Sequence, residues 1–144
     1  MRLDGEWLLC DDGIRRPVIR CDVLGDDGQW HAAEFLVDTG ADRTVFNEDL
    51  LVMLALRQSQ PGGEIRGVGG LAATIAIRTQ VRMKCDDNRT VVFRGEFAGC
   101  RDTEVLDMSV LGRDVTQNLV VIIDRPADRV VLLSPGTGYT IHDR

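Results

Sequence analysis

Two apolar runs separated by an acid, a hydroxyl and a glycine constrain this chain more than any other feature. Phe35-Leu36-Val37 leads into Asp38-Thr39-Gly40-Ala41-Asp42-Arg43, and Thr44-Val45-Phe46 leads out. Both runs read as buried strands. Gly40 lets the backbone turn between them without a Cβ clash. The pattern therefore predicts one carboxylate, Asp38, held at the tip of a rigid loop.

Around this unit, Gly and Asp punctuate short apolar runs at close intervals, which predicts a mostly β chain. Strands are expected over 6–10, 17–24 and 30–37, with turns at Asp11-Asp12-Gly13 and Asp26-Asp27-Gly28. Over 17–24, Ile19, Cys21 and Val23 share one face and Arg20 and Asp22 the other. Neither Asp-Asp-Gly has the regular ligand spacing of a calcium loop. Asn47 is placed to cap a helix whose first turn carries Glu48 and Asp49, favourable to the helix dipole. Residues 50–56 are nearly all apolar, so that helix is expected to be buried on most sides, and 58–63 to end it.

A glycine-rich turn, Gly67-Val68-Gly69-Gly70, then joins two strand-like segments, the second with Ala73, Ile75, Ile77, Thr79 and Val81 on one face. No Lys-Ser/Thr follows the glycines and the next segment is not helical, which argues against a phosphate-binding loop. A further hairpin is expected from 81–84 and 90–97 about Asp86-Asp87-Asn88, then a polar loop over 99–107. Met108-Ser109-Val110-Leu111 reads as a strand running into Gly112-Arg113-Asp114, with a short helix over 115–118. A last hairpin spans 119–124 and 129–133, and 134–144 reads as irregular.

A chain of 144 residues suits a single domain spanning 1–144. Its net charge is −6, from 17 basic and 23 acidic residues, with no basic block, which argues against a nucleic-acid partner. No apolar run approaches the ~20 residues that cross a bilayer, and the N-terminus lacks the basic-then-apolar layout of a secretion signal. The expectation is a cytoplasmic protein without a membrane partner. Cys10, Cys21, Cys85 and Cys100, with His31 and His142, show no zinc spacing. Reduced, mostly buried thiols and no metal are expected.

Three stretches in this order, Asp38-Thr39-Gly40-Ala41 between apolar strands, the glycine hairpin at 67–70, and Val110-Leu111-Gly112-Arg113-Asp114, resemble the retropepsin-like aspartic proteases. The resemblance covers roughly 15–133. It implies an all-β fold, a small closed barrel with one or two short helices, working as a homodimer. It differs at the end, because retroviral members stop soon after the helix with a short dimer-forming strand, whereas an extra hairpin and tail follow here.

Residue by residue, the resemblance makes Asp38 the catalytic acid. Thr39 is to hydrogen-bond across the two-fold, and Gly40 to offer its amide to the carboxylate and its carbonyl to substrate. Ala41 and Asp42 line the site, and Gly67, Val68, Gly69 and Gly70 form a mobile flap over bound peptide. Arg113 pairs with Asp42, Gly112 permits close backbone approach, and Arg16, in Arg16-Pro17, reaches the partner's equivalent of Asp42. No cofactor is implied. Since the sequence has one Asp-Thr-Gly, the implied activity, aspartic endopeptidase on extended polypeptide, needs two copies. The alternative is a non-catalytic dimerisation or peptide-binding module of the same fold, since a fold does not by itself carry activity.

Overall fold

The computed structural model describes residues 1–55, 60–67, 70–140 and 142. In chain order the elements are β1 (Arg2–Asp4), β2 (Glu6–Leu9), β3 (Arg15–Leu24), β4 (Trp30–Val37), β5 (Val45–Phe46), α1 (Glu48–Leu54), β6 (Gln60–Gly67), β7 (Gly70–Lys84), β8 (Thr90–Gly99), β9 (Val110–Leu111), α2 (Arg113–Thr116), β10 (Val120–Asp124) and β11 (Arg129–Leu133). The expected all-β architecture is present. None of the described helices is long and apolar enough to cross a membrane.

The larger sheet runs β2-β3-β4-β9-β5-β8-β7-β6, and a second pairing of β3 with β7 closes its middle into a barrel. The closure sits at Asp22↔Arg82 and Val23↔Val81. There Arg82 donates to Asp22 at 2.8 Å and lies over the Trp30 ring, 4.3 Å from its centroid. β2 and β6 extend beyond the ring on its two sides, and β1-β11-β10 forms a separate antiparallel sheet.

The barrel is filled from strands on either side of the acid loop. Phe35, on β4, and Phe46, on β5, are both fully buried. Their rings meet edge to face at 5.7 Å, and Phe46 stacks on Phe97 at 5.6 Å. Burying one such side chain is worth about 1.5–3 kcal/mol, so each leg of the loop ends on a strong anchor. Ile19, Cys21 and Val23 face inward as the alternation predicts, while Arg20 pairs with Glu6 and Glu34 on the outer face. Cys21, Cys85 and Cys100 are buried and Cys10 is partly exposed, all as free thiols.

Several local expectations need correction. The strand expected over 6–10 is β2, and an unexpected strand, β1, precedes it and pairs with β11 at the far end of the chain. α1 is capped as expected, with the Leu50 amide donating to the Asn47 side chain at 3.2 Å. It stops at Leu54, however, with Ala55 in the left-handed region at φ 49°. It also buries one stripe only: Leu50, Leu51 and Leu54 point inward, whereas Val52 and Met53 face solvent. β7 is one continuous strand where two segments were expected, and its inward face changes along its length. Ala72, Thr74 and Ala76 are buried in its first half and Ile77, Val81 and Met83 in its second, leaving Ala73 exposed. α2 opens at the Arg113-Asp114 pair and ends at Thr116, short of the expected Asn118.

Candidate active site

Asp38 stands just past the end of β4, on a loop fastened to β9. β9 runs parallel to β4, with Leu36↔Val110 and Val37↔Leu111 in register. The Leu36 amide donates to the Ser109 carbonyl at 2.8 Å, and the Asp38 amide to the Leu111 carbonyl at 3.2 Å. The main chain under the acid is therefore held as a strand is held. Beyond it the chain turns, with the Ala41 amide donating to the Asp38 carbonyl at 3.3 Å. The Gly40 amide donates to Asp38 Oδ1 at 2.9 Å, so one carboxylate oxygen is oriented by the turn itself. Asp38 is half-buried, and Thr39 and Gly40 are exposed.

The loop's outgoing leg is locked by residues whose role the sequence did not announce. Thr44 is fully buried. Its amide donates to both oxygens of Asp114 at 2.9 Å, and its hydroxyl donates to Asp114 Oδ1 at 2.7 Å. The Gly112 amide donates back to the Thr44 hydroxyl at 3.1 Å. Charge-assisted bonds of this kind are roughly twice as strong as neutral ones. Gly112 itself lies against the loop: a Cβ there would sit 2.3 Å from both the carbonyl carbon and oxygen of Arg43. The expected close backbone approach at Gly112 is present. The Arg113 amide donates to the Ala41 carbonyl at 2.8 Å, and the Asp114 amide to the Asp42 carbonyl at 3.2 Å. In sequence, Thr44 reads as a strand residue and Asp114 as a helix opener. Their pairing joins positions 70 residues apart.

Arg113 forms the ion pair with Asp42 that the resemblance implies, and its guanidinium also donates to the Thr39 carbonyl at 3.5 Å. Both side chains are largely exposed, so the pair fixes orientation more than it adds stability. Within its own chain Arg16 pairs with Asp12. Its two terminal nitrogens bind both oxygens of Asp12 in the same chain, at 3.0 and 2.7 Å. The Arg16 guanidinium, and then the Ile14 amide, hold the Asp12 carboxyl down at about 2. A lowered folded value stabilises above the unfolded value near ~4, and that contribution disappears as pH falls toward the folded one. Asp12→Asn is therefore expected to show a shallower loss of thermal stability across that acid window than the parent chain, measured by melts at a series of pH values.

Over the loop opens a cleft of about 500 Å³. Asp38, Gly40, Ala41 and Asp42 form its floor, Leu36, Val45, Val105, Leu106 and Val110 its apolar walls, and Glu64, Ile65 and Arg66 of β6 reach it from the hairpin. Gly67 and Gly70 pair across the end of that hairpin, with Gly70 at φ +116°. The turn residues between them, Val68 and Gly69, lie outside the described residues. The arm is tied to the acid loop at its base, where Arg43 donates to the Gly62 carbonyl at 3.2 Å beside a register shift between Pro61 and Gly63. Asp38, Ala41, Asp42 and the β6 arm are thus brought together, with Arg113 and Gly112 beneath, while Arg16 lines the cleft edge.

No protein-family model matches the chain, and no curated protein matches it by sequence. Solved structures do. The protease of EIAV, complexed with the inhibitor HBY-793, is 27% identical over 71% of this chain and 86% of its own, with a TM-score of 0.51. A retropepsin-like aspartic protease from Rickettsia conorii is 18% identical over 92% of this chain and 90% of its own, with a TM-score of 0.58. The barrel, the loop bearing Asp38 and the overhanging hairpin arm belong together: the chain has a retropepsin-like aspartic-protease fold.

Proposed function

We propose that this chain is an aspartic endopeptidase that hydrolyses peptide bonds as a homodimer, with water activated between Asp38 and its symmetry mate. The supporting observation is the Asp38 loop itself. A carboxylate is held by its own turn, one oxygen on the Gly40 amide, at the floor of a cleft roofed by a β arm. Thr39 and Gly40 next to it are exposed, as a half-site awaiting its partner requires.

The chemistry follows from bringing two such acids together. Carboxylates ~3 Å apart cannot both ionise, so the pair holds one shared proton over a working range of pH. The ionised member takes a proton from the water, which attacks the scissile carbonyl. The protonated member hydrogen-bonds that carbonyl and then passes a proton toward the leaving amine. No acyl-enzyme forms. Substrate lies extended beneath the β6–β7 arm and adds main-chain hydrogen bonds as a strand would. The apolar cleft walls at Val45, Ile65, Val105 and Leu106 take side chains on either side of the cut.

The test is digestion of a peptide library at a series of pH values and protein concentrations. Cleavage is expected to peak below neutral pH, where the pair is half-ionised. Specific activity is expected to fall on dilution through the dimer dissociation constant. A chain that binds peptide and dimerises but cuts nothing at any pH is instead the non-catalytic module of this fold.

A further inference from the structure

We propose that Arg43, on the outgoing leg of the acid loop, receives an acidic side chain of the bound peptide. The chain then selects sequences carrying Glu or Asp within about three residues of the cut. The proposal rests on the peptide-cleaving reading above and adds to it the charge of the substrate.

Strand register sets Arg43 level with the acid. Leu36 and Val37 of β4 pair with Val110 and Leu111 of β9, and Val45 of β5 pairs with the same Val110. Carried one residue past Val37, the parallel register places Asp38 opposite Gly112. Carried two residues back from Val45, the antiparallel one places Arg43 opposite Gly112 as well. The close approach of Gly112 to the Arg43 carbonyl agrees with that placement. Asp38, Gly112 and Arg43 thus form one row, and side chains of a row share a face. Two strand spacings of ~4.8 Å put the outer Cα atoms about 10 Å apart, or about three residues of an extended peptide at ~3.3 Å each. Asp38, Arg43 and Val45 accordingly all line the cleft, whereas Thr44 turns away to Asp114.

What the Arg43 guanidinium lacks is a carboxylate. Of the other arginines about the cleft, Arg16 is bound by Asp12 and Arg113 by Asp42. Arg43 is half-buried, and the one hydrogen bond of its guanidinium among the described residues goes to the Gly62 carbonyl at 3.2 Å. Glu64, two residues along the arm, forms no ion pair with it among those residues. A guanidinium carries five N–H donors in a planar fork and keeps its charge at every working pH. A partly buried charge without a counter-ion is unfavourable. A carboxylate arriving between Val45 and Gly62 supplies that counter-ion and takes two donors at once. The Gly62 bond aims the fork in advance, so little ordering is left for the substrate to bring about. Arg66 also borders the cleft, but it is exposed and its charge is screened by solvent.

The experiment measures kcat/KM on C-terminally amidated peptides that differ only by Glu against Gln, placed in turn at each position up to about three residues from the cut. It is run above the ~4.3 of a free glutamate, so that the side chain is ionised. The full chain is compared with Arg43→Gln, with Arg43→Lys and, as a control on the exposed face of β7, with Arg78→Gln. The parent is expected to favour Glu at least about ten-fold at one position. Arg43→Gln is expected to bring that ratio close to one, Arg43→Lys to keep part of it, and Arg78→Gln to keep all of it. If Arg43 merely pins the arm, Arg43→Gln slows both peptides equally and the ratio survives. That result, or a parent that cuts both alike, overturns the proposal. So does a preference seen only on peptides with a free terminal carboxylate. Should Arg43→Gln fail to fold, Lys-bearing peptides test the parent directly: they are expected to be cut more slowly than Gln-bearing ones, and equal rates overturn the proposal. Fluorescence anisotropy of the same peptides is read without cleavage. A chain that cuts nothing, yet binds Glu peptides more tightly and loses that preference in Arg43→Gln, keeps this site and rejects the protease reading instead.

Discussion

Asp38→Asn is expected to abolish peptide cleavage, with turnover at least ~10³-fold below the parent, while the chain still folds and pairs. The side chain is half-buried, and its one local hydrogen bond is accepted by Oδ1 from the Gly40 amide. An asparagine Oδ1 accepts that bond equally well, so the turn has no reason to open. An amide cannot take a proton from water near neutral pH, and general acid–base catalysis by a positioned group is worth about 10²–10⁴. In the proposed homodimer the loss is complete, because both acids of a site disappear at once. Peptide digestion alongside sedimentation and a thermal melt separates the outcomes. A folded, dimeric Asp38→Asn chain with parental activity would remove Asp38 from the chemistry.

The second large effect is structural. Gly112→Ala is expected to cost about 3 kcal/mol, the upper range for forcing atoms into a filled space, and to lower the melting temperature by roughly 10 °C for a domain of this size. Backbone conformation is not the reason, since Gly112 has φ −94°. The reason is space: the new methyl would overlap the Arg43 carbonyl at 2.3 Å, and backbone is the part of the neighbour least able to move. Relief requires β9 to draw away from the acid loop. That stretches the Gly112 bond to Thr44 and the Arg113 bond to Ala41. Activity should therefore fall further than the remaining folded fraction accounts for. Gly95→Ala on β8 is the control, because a Cβ there meets nothing within 4 Å and the change should be near neutral. Equal melts for the two variants would deny the close approach.

How legible the fold was depended on how local each signal was. Trp30–Val37 and Arg129–Leu133 coincide with their sequence-based bounds, because alternation and flanking turn residues both lie within the segment. β1 went unseen because three residues carry no period, and its reason to be a strand, β11, lies at the other end of the chain. In α1 five consecutive apolar residues, Leu50 to Leu54, left periodicity nothing to discriminate, so the exposed faces of Val52 and Met53 were invisible. In β7 apolar residues occupy both parities near Ala76 and Ile77, where the strand passes from a small cluster with Val45, Ala98 and Cys100 to the barrel core. At the site, the acid, its glycine and the Asp42–Arg113 pair were readable from motif. The Thr44–Asp114 lock and the capture of Arg16 by Asp12 were not, since either partner alone is an ordinary polar residue in a turn or helix start.

β7 leaves the barrel without a break. It pairs with β8 only as far as Ile75↔Gly99, and from there to Gly70 its one sheet neighbour is β6. Such a ribbon is held at intervals: clamped where β8 ends, seated at Ala72 in a cluster with Val45, Ala98 and Cys100, and pinned at Gly62 by Arg43. A load on its outer end is met first at those supports, Ala72 and Gly62, and only then by the strands of the barrel. The stiffness of the β6–β7 arm is thus set by its seats on the outgoing leg of the acid loop and on the barrel rim.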